Sequence, residues 1–224
     1  MTVPWFCRDP LLLAEVEGAI ASYPDLRLVK GEATVRVCGT FPIVHDGKVL
    51  DRFQVEVSFR ESYPRTMPRV METGGRIPKT LDRHVFPTSG FACLQVPEEW
   101  LTDADRSFRR FLKVPVHNYF LGQALVELGQ PWPFGERSHG IKGLYEAYGE
   151  ILGEADPATI ERLLQVLAAR DPKGHWRCPC GSGERLRKCC QDRINDLRDH
   201  ISPEVARSIL VRLNAAGGAL PGDN

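Results

Sequence analysis

The sequence predicts an α+β fold in which an antiparallel meander with flanking helices is followed by further helices and a small cysteine module. Three observations carry this. Phe53, Val55, Val57 and Phe59 alternate with Arg52, Gln54, Glu56 and Ser58, the two-residue period of a strand with one buried face. Leu12, Leu13, Val16 and Ile20 recur at helical spacing, as do apolar residues after position 106. Four of the seven cysteines crowd into 178–190.

Taken in order, Asp9 is an N-cap with Pro10 at the first helical position, so a helix is expected over 10–22. From 26 to 44 the chain turns β-like, with Val35 and Val37 alternating against Thr34 and Arg36. His45-Asp46-Gly47-Lys48 is a hairpin signal, and the clearest strand follows at 51–60. Pro64 and Pro68 stiffen an irregular crossing, after which Val70-Met71 is a short apolar piece. The stretch 74–99 is expected to be mostly loop, and its length and aromatic content mark it as functional rather than disordered. Helix returns over 106–129, limited or kinked by Pro115, and a proline-rich joint at 130–135 closes the first domain, 1–135. Two more helices, 141–152 and 157–169, form a helical linker spanning 136–172, the second capped by Asp156 with Pro157 behind it. The cysteine module and a last helix from Ser202-Pro203-Glu204 occupy 173–224, and the tail from 215 is expected to fray.

The 224 residues are 42% hydrophobic, enough for a buried core, and 29 basic residues balance 29 acidic ones. That balance offers no electrostatic footprint for nucleic acid, so a nucleic-acid binder is disfavoured. The N-terminal text lacks a secretory signal and no apolar run approaches the roughly 20 residues that span a bilayer, so a cytoplasmic chain without a membrane partner is expected. In a reducing compartment an odd number of cysteines is not a disulfide framework.

Metal explains the crowded cysteines. Cys178-Pro179-Cys180 is followed, after eight residues, by Cys189-Cys190, two close thiolate pairs that can complete a tetrahedral zinc site. Gly181 and Gly183 permit the turn between the pairs, while Arg185, Arg187 and Lys188 offset the thiolate charge. A cluster of redox thiols is the competing reading, and His175 is placed outside the ligand set. The text CPCGSG, then basic residues, then Cys-Cys closely resembles the C-terminal zinc motif of SecA, known as SEC-C. The resemblance implies zinc and an interaction role.

A second resemblance covers about 8–130. Tyr63-Pro64, Pro68, His84, Gly90-Phe91-Ala92-Cys93-Leu94 and Trp100 follow one another as the corresponding tokens do in ubiquitin-conjugating enzymes. The family's His-Pro-Asn triplet is absent: counted back from Cys93, its histidine falls at Arg83 and its asparagine at Val85, with His84 between them. The resemblance implies a fold of that family and an acyl relay in which a Cys93 thioester carries the modifier, as in bacterial conjugation or antiviral defence pathways. Its partners would be an activating enzyme, a ubiquitin-like or other C-terminally activated protein, and an acceptor protein. His84 would orient or polarise the carbonyl, with Asp103 and Asp105 as candidate guides for the amine.

Each residue also has a plainer reading. Cys93 fits an inert core cysteine and His84 a loop hydrogen-bonder, which would make the domain a non-catalytic adaptor for a ubiquitin-like or partner protein. Cys7 and Cys38 are expected to be packing residues, and Trp100 to anchor the loop by burial.

Overall fold

The computed structural model describes residues 4–134, 138 and 140–217. It is mixed α+β and comprises two units, 1–135 and 136–224. The expected fraying tail lies, beyond 217, outside the described residues.

In the first unit, α1 (Trp5–Arg8) and α2 (Pro10–Ile20) precede a four-stranded antiparallel sheet. Its strands β1 (Leu26–Lys30), β2 (Val35–His45), β3 (Lys48–Ser58) and β4 (Arg69–Glu72) lie in sequence order. Asp9 caps α2 by accepting from the Leu12 amide at 3.0 Å, as its position before Pro10 leads one to expect. Asp46 and Gly47, at φ 48° and 74°, make the turn between β2 and β3, since two consecutive left-handed residues match the twist of a two-residue hairpin. The two-residue period is realised in side-chain burial: Val35, Val37, Phe41 and Ile43 from β2 and Phe53, Val55 and Val57 from β3 face one core.

That core is closed by the later helices, α3 (Pro97–Thr102), α4 (Phe108–Phe111) and α5 (His117–Glu127). The single helix expected over 106–129 is interrupted by a π turn at Leu112–Val116, which contains Pro115. Proline has no amide to donate and its ring crowds the preceding turn, so the backbone widens there rather than ending. Phe120 on α5 then meets Phe53 at 4.8 Å and Phe41 at 6.1 Å between ring centroids, seating α5 across the sheet.

Gly39 stands mid-sheet, paired with Leu26 in β1 and Val55 in β3. Its φ is 139°, and a Cβ there would lie 2.0 Å from the Asp25 carbonyl oxygen. Gly39→Ala is therefore expected to cost about 4 kcal/mol in denaturant melts of the first unit, combining backbone strain with a steric clash.

The second unit contains α6 (Gly140–Leu152), α7 (Pro157–Ala168), α8 (Gln191–His200) and α9 (Pro203–Gly217). Tyr148, Ile160, Leu163, Leu164, Ala206 and Ile209 are fully buried in it. Asp156 caps α7 through the Thr159 amide at 2.9 Å. The carbonyls left free at helix C-termini are met by arginines from later helices. Arg193 donates to Leu152 and Gly153, Arg198 to Ala169 and Arg170, and Arg207 to Ala168. Among the described residues, no helix is long and apolar enough to cross a membrane.

Candidate functional site

The loop expected over 74–99 is more ordered than its composition announces. After a 3-10 turn at Leu81–Arg83, residues 84–86 and 91–93 form a small ladder around the Val85–Ala92 bridge. Phe86 donates to the Phe91 carbonyl at 2.9 Å, and Cys93 to the His84 carbonyl at 2.7 Å. Gly90, at φ 74°, closes the turn between them by donating to Phe86. The ladder is fastened to β4, where Ala92 donates to Val70 and Phe91 bridges Met71. This annexed strand brings Cys93 and His84, nine positions apart in the chain, opposite each other across one backbone hydrogen bond.

Cys93 is exposed, as a thiol that meets a partner must be. His84 is half-buried and left-handed, at φ 50° and ψ 43°, where it closes the 3-10 turn by donating to the Leu81 carbonyl at 2.8 Å. The residue before it is held from α5. Gln123, fully buried on α5, grips Arg83 at both ends, accepting from its Nε at 2.8 Å and donating to its carbonyl at 2.7 Å. The Tyr119 hydroxyl donates to the same carbonyl at 3.3 Å, and burial pushes its pKa far above the usual tyrosine range, so it stays a donor. The Trp132 ring lies 4.4 Å from that of His84.

Other expected residues are placed differently. Cys38 lies half-buried on the sheet face opposite Val35 and Val37, its thiol directed at Glu56 and pushed up in pKa by burial, and Cys7 is exposed. Neither is the core packing residue that sequence position suggested, because alternation turns Cys38 outward and α1 turns Cys7 away from Trp5. Asp103 is paired with Arg110 at 2.9 Å and Asp105 accepts from the Ser107 amide at 2.9 Å, so both shape the entry to α4. Trp100, by contrast, is buried as expected, 2% exposed, and donates to the Pro64 carbonyl at 2.8 Å.

The second unit brings Cys178, Cys180, Cys189 and Cys190 together, with all four sulfurs within 4.8 Å of one another. Neighbouring sulfurs are 3.3 Å (178–180), 3.5 Å (180–189) and 3.7 Å (189–190) apart. Four thiolates at about 2.3 Å from a tetrahedral ion would be about 3.8 Å apart, so the cluster is the right size to hold a metal ion. Gly181 and Gly183, at φ 81° and 80°, turn the chain back so that the Cys178 amide meets the Glu184 carbonyl at 2.8 Å. Leu186, fully buried, anchors the segment from within, and Arg162 on α7 donates to the Pro179 carbonyl at 2.8 Å. Hydrogen bonding from Ser182 lowers the Cys180 pKa to about 6, whereas burial and the neighbouring sulfurs push that of Cys190 up. His175 is exposed and is not part of the group.

Gln123, Tyr119 and Trp132 were not singled out by the sequence. Gln123 carried one signal, a polar residue inside the amphipathic run of α5, yet its partner lies 40 positions away. No protein-family model, curated protein or solved structure matches the chain.

Proposed function

We propose that the first unit is an acyl carrier of the ubiquitin-conjugating type, working through a Cys93 thioester, and that the four-cysteine cluster is a structural zinc site resembling SEC-C. The observation that carries the relay is the placement of an exposed cysteine opposite a left-handed histidine, at the margin of an antiparallel sheet backed by helices. The Cys93 thiolate adds to the carbonyl carbon of a donor thioester. The new S–C bond forms as the donor C–S bond breaks, and the donor sulfur leaves as a thiolate. An acceptor amine then attacks the Cys93 thioester, Cys93 leaves as a thiolate, and the proton of the new ammonium passes to solvent. His84 donates toward the carbonyl oxygen while negative charge develops on it.

One observation favours a second reading. Val85 is 4% exposed, so no polar group reaches the reacting centre from the position where the family carries its asparagine. A domain lacking that group would bind a ubiquitin-like partner without turning it over.

The two readings separate on one experiment. The protein is mixed with a preformed C-terminal thioester of a ubiquitin-like protein, quenched, and run with and without thiol reductant. An adduct on the Cys93 peptide that reductant removes supports the relay. Complex formation without an adduct, using a donor verified to charge another carrier, supports the adaptor.

A further inference from the structure

We propose that Trp132 is a positioning residue for His84: its indole holds the imidazole toward Cys93 and thereby sets the reactivity of that thiol. This rests on the reading of Cys93 and His84 as a working pair. Trp132 belongs to Pro131-Trp132-Pro133-Phe134, where two prolines restrict the backbone on either side of the ring. Its centroid is 4.4 Å from that of His84, with 41° between the planes. Tyr119 and Phe134, each at 6.1 Å, border the same indole.

The strongest evidence that the indole has a built seat comes from α5. Gly122 lies inside that helix, where glycine costs about 1 kcal/mol relative to alanine. A Cβ on Gly122 would fall 2.6 Å from Cη2 and Cζ3 of Trp132 and 2.9 Å from Cε3. The helix forgoes a side chain at the one place where the six-membered ring of the indole rests. Gln123, the next residue, clasps Arg83 and so fixes the backbone leading into His84. With the backbone held, His84 keeps only its side-chain torsions, and the indole closes one side of their range. Cys93 lies directly across the ladder, its amide donating to the His84 carbonyl at 2.7 Å. Adjacent residues of one helix thus secure the two halves of the histidine, backbone and ring.

The test is a double-mutant cycle on the rate at which iodoacetamide labels Cys93, read on its peptide by mass spectrometry in the full chain. Trp132→Ala is expected to slow labelling at neutral pH about tenfold, the effect of one unit in thiol pKa. Gly122→Val, which keeps the indole but removes its seat, is expected to do the same, and Trp132→Phe to recover most of the rate. In a His84→Gln background, Trp132→Ala should change nothing. Equal slowing in both backgrounds, or slowing in neither, overturns the proposal. If Trp132→Ala does not fold, Trp132→Leu carries the same cycle. No partner protein is needed, so a missing acyl adduct on Cys93 would count against the relay alone.

Discussion

Cys93→Ala is expected to abolish the acyl adduct completely, while Cys93→Ser converts it to a species that thiol reductants leave intact. The serine oxygen is the poorer nucleophile but forms an oxyester, which a thiol does not cleave readily, so persistence under reductant identifies the attachment atom. His84→Ala should leave charging possible and slow discharge to an amine by about a hundred- to a thousand-fold, the loss expected for a full donor to a developing oxyanion. Rates are read by single-turnover chase from the purified adduct, which isolates the acceptor step. An adduct that survives Cys93→Ala places the nucleophile elsewhere, and unchanged discharge in His84→Ala removes His84 from the chemistry while leaving Cys93 in it.

Protein purified under reducing conditions is expected to contain about one zinc per chain, and stripping it should collapse the segment from Gly174 to Cys190. Few apolar groups in that segment are buried, Leu186 being the main one, so its order is expected to depend on a bound ion. Structural zinc in comparable peptides contributes about 10–16 kcal/mol, as much as the whole stability of a typical domain, about 5–15 kcal/mol. Cys189→Ser or a strong chelator should therefore remove hydrogen-exchange protection from the Cys178 and Leu186 amides, which bond to Glu184 and Trp176. Protection in β2 and β3 should not change, because the first unit has its own core. A metal assay that finds no zinc would remove the ion from the account.

What could be read in the sequence was local. The alternation at 53–57, the caps Asp9 and Asp156 and the turn at Asp46-Gly47 each depend on residues within a few positions, and each has its expected geometry. The cysteine spacing is of the same kind, and the four sulfurs do meet. What could not be read depends on distant partners. The ladder at 84–93 exists because Ala92 reaches Val70, and the backbone leading into His84 is held because Gln123 reaches Arg83. Helix α8 was concealed by its own text, QDRINDLRDH, in which only Ile194 is fully buried, so no apolar stripe marks it.

The arginine clamps on the helix ends bear on the order in which the second unit assembles. The carbonyls of Ala168, the last residue of α7, and of Ala169 and Arg170 just beyond it are met by Arg207 and Arg198, 28 to 39 positions further along the chain, so these groups find their partners only when α8 and α9 arrive. The cysteine segment is the loop that must close for this to happen, and a metal ion held by its two cysteine pairs would shorten the free chain between α7 and α8. With such an ion bound, helix completion and loop closure would become one cooperative event, and the cysteine segment would act as a latch between early and late helices.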